Sequence, residues 1–442
     1  MVAAIRRRWA HVRVVVILLP CTFASGREED VARSVPGVDE VVPVHRLMSL
    51  IVRGLPTPGT ALLHLGGDLM YAGLLAWRWN LPTWAFQWAH RTWDRWIRGY
   101  FVKTEEDARR LCRMGINRNR IEVVGDLIVD AVQTSLKEST PRPTLAREDP
   151  LESSSRPSES GPHIAFLPGS RIEEVSGLGP FYLEAAEHIR HALPHARFSL
   201  LISPYLEWGQ VRRGIQAEPH PSMGGIRGRL VQKEDAIWDL VSAAGTRLTL
   251  TRGSTLPVLA TADFAVSIPG TKTGEAGCLG CPFLLVLPMN RMERIPWYGV
   301  LGLLDWLPMV GRMLKRLIMR TMVDRYIGRV YSQPNLLSDV PVVPELSGFL
   351  TPTLVAERVL AFFDHATSGR LPFPCIGRTD GTLGPYSYNG AQGSDRHRVA
   401  SDLRALYATH GGAADRAVAS VAASLSSVAG ESSRDFAHES VK

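Results

Sequence analysis

"FLPGSRIEEV", residues 166–175, decides the fold. An apolar run ends at Pro168-Gly169-Ser170-Arg171, and an acidic helix start follows at once. A buried strand that passes through one glycine turn into a helix is the joint of a parallel α/β sheet. Gly169 lets the backbone turn sharply, and Ser170 can cap the helix behind it. A helix start offers free N–H groups and a positive dipole end, which suit an anion. Arg171 adds a planar cation able to grip two phosphate oxygens. Glu173 and Glu174 favour a first helical turn by charge alone. The stretch is either a capped turn or half of a diphosphate receptor.

The same alternation runs outward from it. "GPFYLEAAEHIRHAL" reads as a helix, "ARFSLLIS" as a strand, "AIWDLVSAA" (236–244) as a helix and "TRLTLTRG" as a strand. "STLPVLATA", "DFAVSIPG", "KTGEAGCLG" and "CPFLLVLP" continue as helix, strand, helix, strand, so 163–368 forms one doubly wound domain. Residues 1–136 form another, with strands at "RVVVILLP", "DEVVPV", "TALLHLGGD", "NLPTWAFQW", "GYFVKT" and "IEVVGD" and helices at "REEDVARSV" and "EEDARRLCRMG". Residues 137–162 are rich in Pro, Ser and charge without periodicity, as a flexible linker is. A Gly/Pro-rich insertion at 369–393, two amphipathic closing helices at 394–430 and a disordered tail at 431–442 complete the chain. The expected fold is α/β: two doubly wound Rossmann-like domains facing a cleft, with ligand at the C-terminal ends of the strands.

A chain of 442 residues accommodates two such domains. The net charge of +7 and pI near 9.3 suit an anionic partner. Zinc-finger spacing and a basic, base-reading helix are both missing, so nucleic acid is not expected. Five cysteines are too few for a disulfide framework. Cys278 and Cys281 form a CxxC without a thioredoxin-like context or a second ligand pair, and read as small residues of a packed helix. The first 26 residues combine basic residues, an apolar run and a small-residue end, as a signal peptide does. Val14–Leu19 is short and rich in β-branched residues, however, which favours a buried strand followed by a helix. No later run is long and uncharged enough for a membrane span.

A second junction, "DFAVSIPGTKTGEAGCLGCP" (263–282), again runs strand, Gly-Thr turn, helix. Amides at Gly270 and Thr271 are placed to reach a phosphate. Glu275, in the first helical turn, either accepts two hydrogen bonds from a vicinal diol such as a ribose or merely complements the dipole. Two such junctions, one with Arg and one with Glu, fit a nucleotide diphosphate. Their spacing departs from both the P-loop and GxGxxG.

Together with "LHLGGDLMYA", "FVKTEEDARRLCRMGI", "IEVVGDLIVDA" and "YSQPNLLSD", these stretches resemble lipid-A-disaccharide synthase and its relatives, GT-B glycosyltransferases, from about residue 13 to 430. The resemblance implies a UDP-sugar donor on the C-terminal domain and inverting transfer to a lipid or lipid-linked acceptor. It puts Gly169, Ser170 and Arg171 at the diphosphate, and Gly270, Thr271 and Thr273 beside the nucleotide. Glu275 falls near the ribose, and Asn335 of "QPNLL" lines the donor pocket. Asp68 of "GGD" matches an acidic position suited to a general base; as a plain residue it is a helix N-cap after a Gly-Gly turn. No metal or other cofactor is implied, and no DxD is present. The family opens with a strand and a Gly-Glu-x-Ser-Gly-Asp type loop, whereas this chain starts near the second strand. A misassigned start or a reduced acceptor side accounts for that. A UDP-sugar 2-epimerase-like enzyme and a non-catalytic nucleotide-sugar binder are the competing expectations.

Residues 291–331 carry Trp297, Tyr298 and Trp306 among leucines, followed by Arg312, Lys315 and Arg316. Such a stretch is either an interfacial anchor or a helix pair with a solvated basic face. The anchor would hold the protein peripherally on the anionic, cytoplasmic face of the cytoplasmic membrane. The closing helices could serve a homodimer.

Overall fold

The computed structural model describes residues 1–20, 26–54, 59–87, 92–139, 161–234, 237–253, 255–290, 330–338, 341–368, 376–377 and 396–439. The segment 291–329, with Trp297, Tyr298, Trp306, Arg312, Lys315 and Arg316, lies outside them. The chain divides into two compact units: Met1–Ala131 with Thr409–Lys442, and Val132–Ala408.

The first unit opens with α1 (Val2–Arg8), β1 (Val15–Ile17), α2 (Glu28–Ser34), β2 (Glu40–Val42) and α3 (Leu47–Arg53). It continues with β3 (Leu62–His64), α4 (Leu69–Trp79), β4 (Thr83–Phe86), β5 (Gly99–Val102), α5 (Glu105–Arg113), β6 (Ile121–Val123) and the start of α6 (Leu127–Ser139). β1 and β2 pair in parallel, and β3-β4-β5-β6 form a four-stranded parallel sheet in chain order. A basic helix thus precedes the expected first strand. Arg6 ties it to the approach of β2 through the Gly37 carbonyl, at 3.0 Å, and the Asp39 carboxylate.

The second unit holds β7 (His163–Leu167), α7 (Ile172–Ala192), β8 (Arg197–Ile202), α8 (Trp208–Ile215), β9 (Arg229–Glu234), β10 (Ile237–Val241), β11 (Arg247–Arg252) and α9 (Leu256–Thr261). Then come β12 (Phe264–Ser267), α10 (Thr271–Leu279), β13 (Phe283–Pro288), α11 (Gln333–Leu337), β14 (Glu345–Gly348), α12 (Pro352–Ser368), β15 (Ile376–Gly377) and α13 (Arg396–Ala408). Nine strands order as β15-β14-β13-β12-β7-β8-β11-β10-β9. Pairing is parallel from β15 to β11 and antiparallel among β11, β10 and β9. Residues 237–241 are therefore a strand, not the helix their composition suggested. A tight turn closes the hairpin: Ser242 N–H donates to Thr246 O (2.9 Å), and Gly245 turns at φ +81°. Thr249 on β11 then donates to the buried Asp239 at 2.9 Å, which a helix could not arrange.

Helices cover both faces of this sheet. α7 and α12 pack on one side around Phe166, Tyr182, Phe264 and Phe362, with the Phe264 and Phe362 ring centroids 4.4 Å apart. α9, α10 and α13 supply Leu259, Ala276, Val399 and Leu403 to the other. This is the parallel, doubly wound architecture expected from the alternation.

The final helix, α14 (Ala413–Glu439), belongs to the first unit. Ala413, Ala417 and Val421 bury against Trp84, Phe86, Phe101 and Val124. Asp130 caps its start, accepting from the Gly412 and Ala414 amides at 2.6 and 2.7 Å. Among the described residues, no helix is long and apolar enough to cross a membrane.

Candidate functional site

Strands β7 and β12 are adjacent and parallel, with Leu167 level with Ser267 at their C-terminal ends. The chain winds from β7 outward through β8 to β11, then returns to the other side of β7 as β12. The gap between β7 and β12 is therefore a topological switch point, where doubly wound sheets bind ligands. Both Pro-Gly turns leave the sheet here. A side chain at Gly169, φ +107°, would run into the Glu174 carboxylate and come within 2.7 Å of Ile268 Cδ1. Only glycine suits that corner. Among the described residues, nothing lies within 4 Å of a side chain's first carbon at Gly270.

At the first turn the cap differs from expectation. Arg171, not Ser170, is the N-cap position of α7. The capping group is the Glu174 carboxylate, which accepts from the Ser170 and Arg171 amides at 3.0 and 3.1 Å. Arg171 Nη1 lies 3.1 Å from its other oxygen. Glu174 is thus a resident anion on the amides and guanidinium that suit a phosphate. Burial pushes its carboxyl above the usual range, while Arg171 and the two amides pull the other way.

At the second turn Thr273 is buried and donates to the Gly270 carbonyl at 2.8 Å. Its hydroxyl also accepts from the Gln333 amide at 3.1 Å, which docks the start of α11 on α10. Thr271 is exposed. Glu275 receives Lys272 Nζ on both oxygens at 2.8 Å and the Thr255 hydroxyl at 2.8 Å. Lys272 Nζ also donates to Thr255 Oγ1 at 2.9 Å. Sequence reasoning passed over both partners. Lys272 was visible as the i,i+3 neighbour of Glu275; Thr255 enters from the β11–α9 connection and carries no local signal.

Asn335 does not present its amide to solvent. It is buried, donating to Val343 O at 2.8 Å and Glu345 at 2.7 Å, and accepting from the Val342 and Val343 amides at 2.7 and 3.0 Å. Two donors and two acceptor sites are all that a carboxamide has. Asn335 therefore ties α11 to Val342, Val343 and Glu345 and has no polar group left for a ligand. The buried Glu345 carboxylate, unsuspected in the sequence, also accepts from the Tyr331 and Ser332 amides and the Ser332 hydroxyl at 2.8, 3.0 and 2.6 Å.

Asp68 belongs to the other unit. It is exposed and N-caps α4, accepting from the Met70 amide at 2.9 Å. Four residues back, His64 is buried at the end of β3. Burial holds its imidazole below the ordinary range, opposed by the Gly67 backbone and the Asp68 charge. Among the described residues, no group of three or more His, Cys, Asp or Glu side chains could hold a metal ion.

The site is thus an anion-suited switch point on a doubly wound α/β unit. No family model matches the chain. Curated proteins similar to it are lipid-A-disaccharide synthases. That of Paraburkholderia phytofirmans is 28% identical over 213 residues, 48% of this chain and 42% of the relative. That of Syntrophus aciditrophicus is 28% identical over 243 residues, 54% of this chain and 48% of the relative. The chain spans less than half the length of these relatives. A UDP-GlcNAc 2-epimerase from Methanocaldococcus jannaschii, solved with UDP-GlcNAc and UDP, superposes with a TM-score of 0.41 at 13% identity, covering 82% of this chain and 96% of that one.

Proposed function

We propose that the second unit binds a UDP-sugar at the β7–β12 switch point, and that the protein is an inverting glycosyltransferase acting on a lipid or lipid-linked acceptor. The observation that carries this is the convergence of both Pro-Gly turns, with Arg171 on one and Glu275 on the other, at the ends of neighbouring parallel strands. The similarity to lipid-A-disaccharide synthases supports it. Arg171 and the Gly270–Thr271 amides would receive the diphosphate, with Glu275 toward the ribose. A general base takes the proton of the acceptor hydroxyl as its oxygen bonds the anomeric carbon; the resemblance of "GGD" proposes Asp68 for that role. The bond from that carbon to the phosphate oxygen breaks, and UDP leaves with the electron pair. No step calls on a metal.

Calorimetric titration with UDP tests the donor site. Arg171→Ala and Glu275→Ala are each expected to weaken binding by about 1–3 kcal/mol, as loss of a charged hydrogen bond does. A folded wild-type protein that ignores UDP would sink the proposal. The 291–331 segment would hold the enzyme on an anionic leaflet, and deletion of 297–320 should abolish co-sedimentation with anionic liposomes at low salt.

Glu174 makes the affinity depend on pH. Its folded-state pKa is raised, so its contribution to stability is greatest below the ordinary glutamate range and is lost as pH rises through the folded value. Ionised, it opposes an incoming phosphate. Glu174→Gln should therefore bind UDP roughly ten-fold more tightly at pH 8, the effect of removing one like charge at contact range. The gap should close as pH falls through the raised folded-state value, where the wild-type carboxyl takes up its proton. Parallel pH profiles for the two proteins would refute this.

A further inference from the structure

We infer that Lys272 is a specificity-determining residue of the nucleotide site, one that exchanges Glu275 for the donor's diphosphate when ligand arrives. This rests on the proposal that the second unit binds a nucleoside diphosphate. Lys272 occupies the second position of α10, the helix that begins directly after the Gly270 turn. Its ammonium is 2.8 Å from both Glu275 oxygens and 2.9 Å from the Thr255 hydroxyl.

The arrangement has two consequences. Both oxygens that would meet a ribose diol already accept from a cation, so a diol alone must displace an ion pair. The Lys272 side chain is also 40% exposed, against 18% for Glu275. An i,i+3 pair whose lysine stays in contact with water contributes modestly to stability, so the lysine can leave the carboxylate at small cost. What it needs is a stronger anion within reach. A diphosphate at the Gly270 and Thr271 amides supplies one, drawing the ammonium onto phosphate oxygens and releasing Glu275 for the diol. Thr255, buried at the foot of α9, stays on Glu275 and holds its orientation. The site then answers to nucleotide and phosphate together, and discriminates against nucleosides lacking a phosphate.

The test is titration of the full chain with UDP and, separately, with uridine. Lys272→Met should weaken UDP by about ten-fold or more, the loss of a charged hydrogen bond. It should leave uridine binding as strong as in wild type or a few-fold stronger, because the carboxylate is no longer held. Lys272→Arg should retain most of the UDP affinity. A merely structural lysine would move both ligands in the same direction, and that result overturns the inference. So does an unchanged UDP affinity in Lys272→Met. If wild type binds neither ligand while remaining folded, the nucleotide proposal itself falls, an outcome distinct from a failure confined to Lys272.

Discussion

Replacing Glu345 with alanine is expected to destabilise the second unit by about 3–5 kcal/mol, a large part of the roughly 5–15 kcal/mol that holds a domain together. Four donors converge on this carboxylate: the Tyr331 and Ser332 amides, the Ser332 hydroxyl and the Asn335 amide. Each buried donor left without an acceptor costs about 1–3 kcal/mol, and water entering the vacated space recovers part of it. The damage should spread. Ser332 leads directly into Gln333, whose amide rests on Thr273, so loosening 331–335 loosens the Gly270 turn. Hydrogen exchange read by mass spectrometry should show lost protection over 330–337 and over the start of α10, and UDP affinity should fall with it. Glu345→Gln keeps the shape and one acceptor oxygen and should fall between. Wild-type exchange over 330–337 in Glu345→Ala would show that the carboxylate is not what anchors the segment.

Asp126→Ala should be of similar size in the first unit, about 3–5 kcal/mol, the usual cost of removing one member of a buried ion pair. Lys103 Nζ lies 2.8 Å from Asp126, and the two side chains are 6% and 1% exposed. Alanine would leave the ammonium buried without its carboxylate. It would also remove the acceptor of the Ile128 amide at the start of α6. Denaturant unfolding followed by hydrogen exchange should place the loss in β5, β6 and the start of α14, since the Asp126 amide donates to His410 O at 2.9 Å. The double variant Lys103→Met/Asp126→Leu should recover much of the stability, because an apolar pair of similar volume often replaces a buried ion pair without loss. If the double variant were as unstable as Asp126→Ala, backbone geometry rather than loss of the Lys103–Asp126 pair would be the cause.

Much of the architecture was legible. β7, β8, β12 and β13 stand out as short apolar runs because both faces of a parallel sheet are covered, so nearly every position is buried. The Pro-Gly turns were legible because a strand-to-helix corner there admits little but glycine. β10 was not: "AIWDLVSAA" has helical composition, and only pairing with β9 and β11 makes it a strand. The capping role of Glu174 was half legible. Its position in the first turn was plain, while its hold on the Ser170 and Arg171 amides depends on a rotamer that spacing does not specify.

What the amino-acid sequence determined by itself is local. Periodicity set the elements, and glycine, proline and charge at the turns set two anion-suited helix starts, because those effects act over a few residues. What only the tertiary structure decided is adjacency. β7 and β12 lie about a hundred residues apart in the chain, and their pairing is what turns two separate corners into one site. The same holds for Asn335, drawn inward by a glutamate ten residues away, and for Glu275, held by a threonine twenty residues before it. The physical reason is that hydrogen bonds and ion pairs reach about 3 Å whatever the chain separation, and the fold alone determines which groups come within that distance.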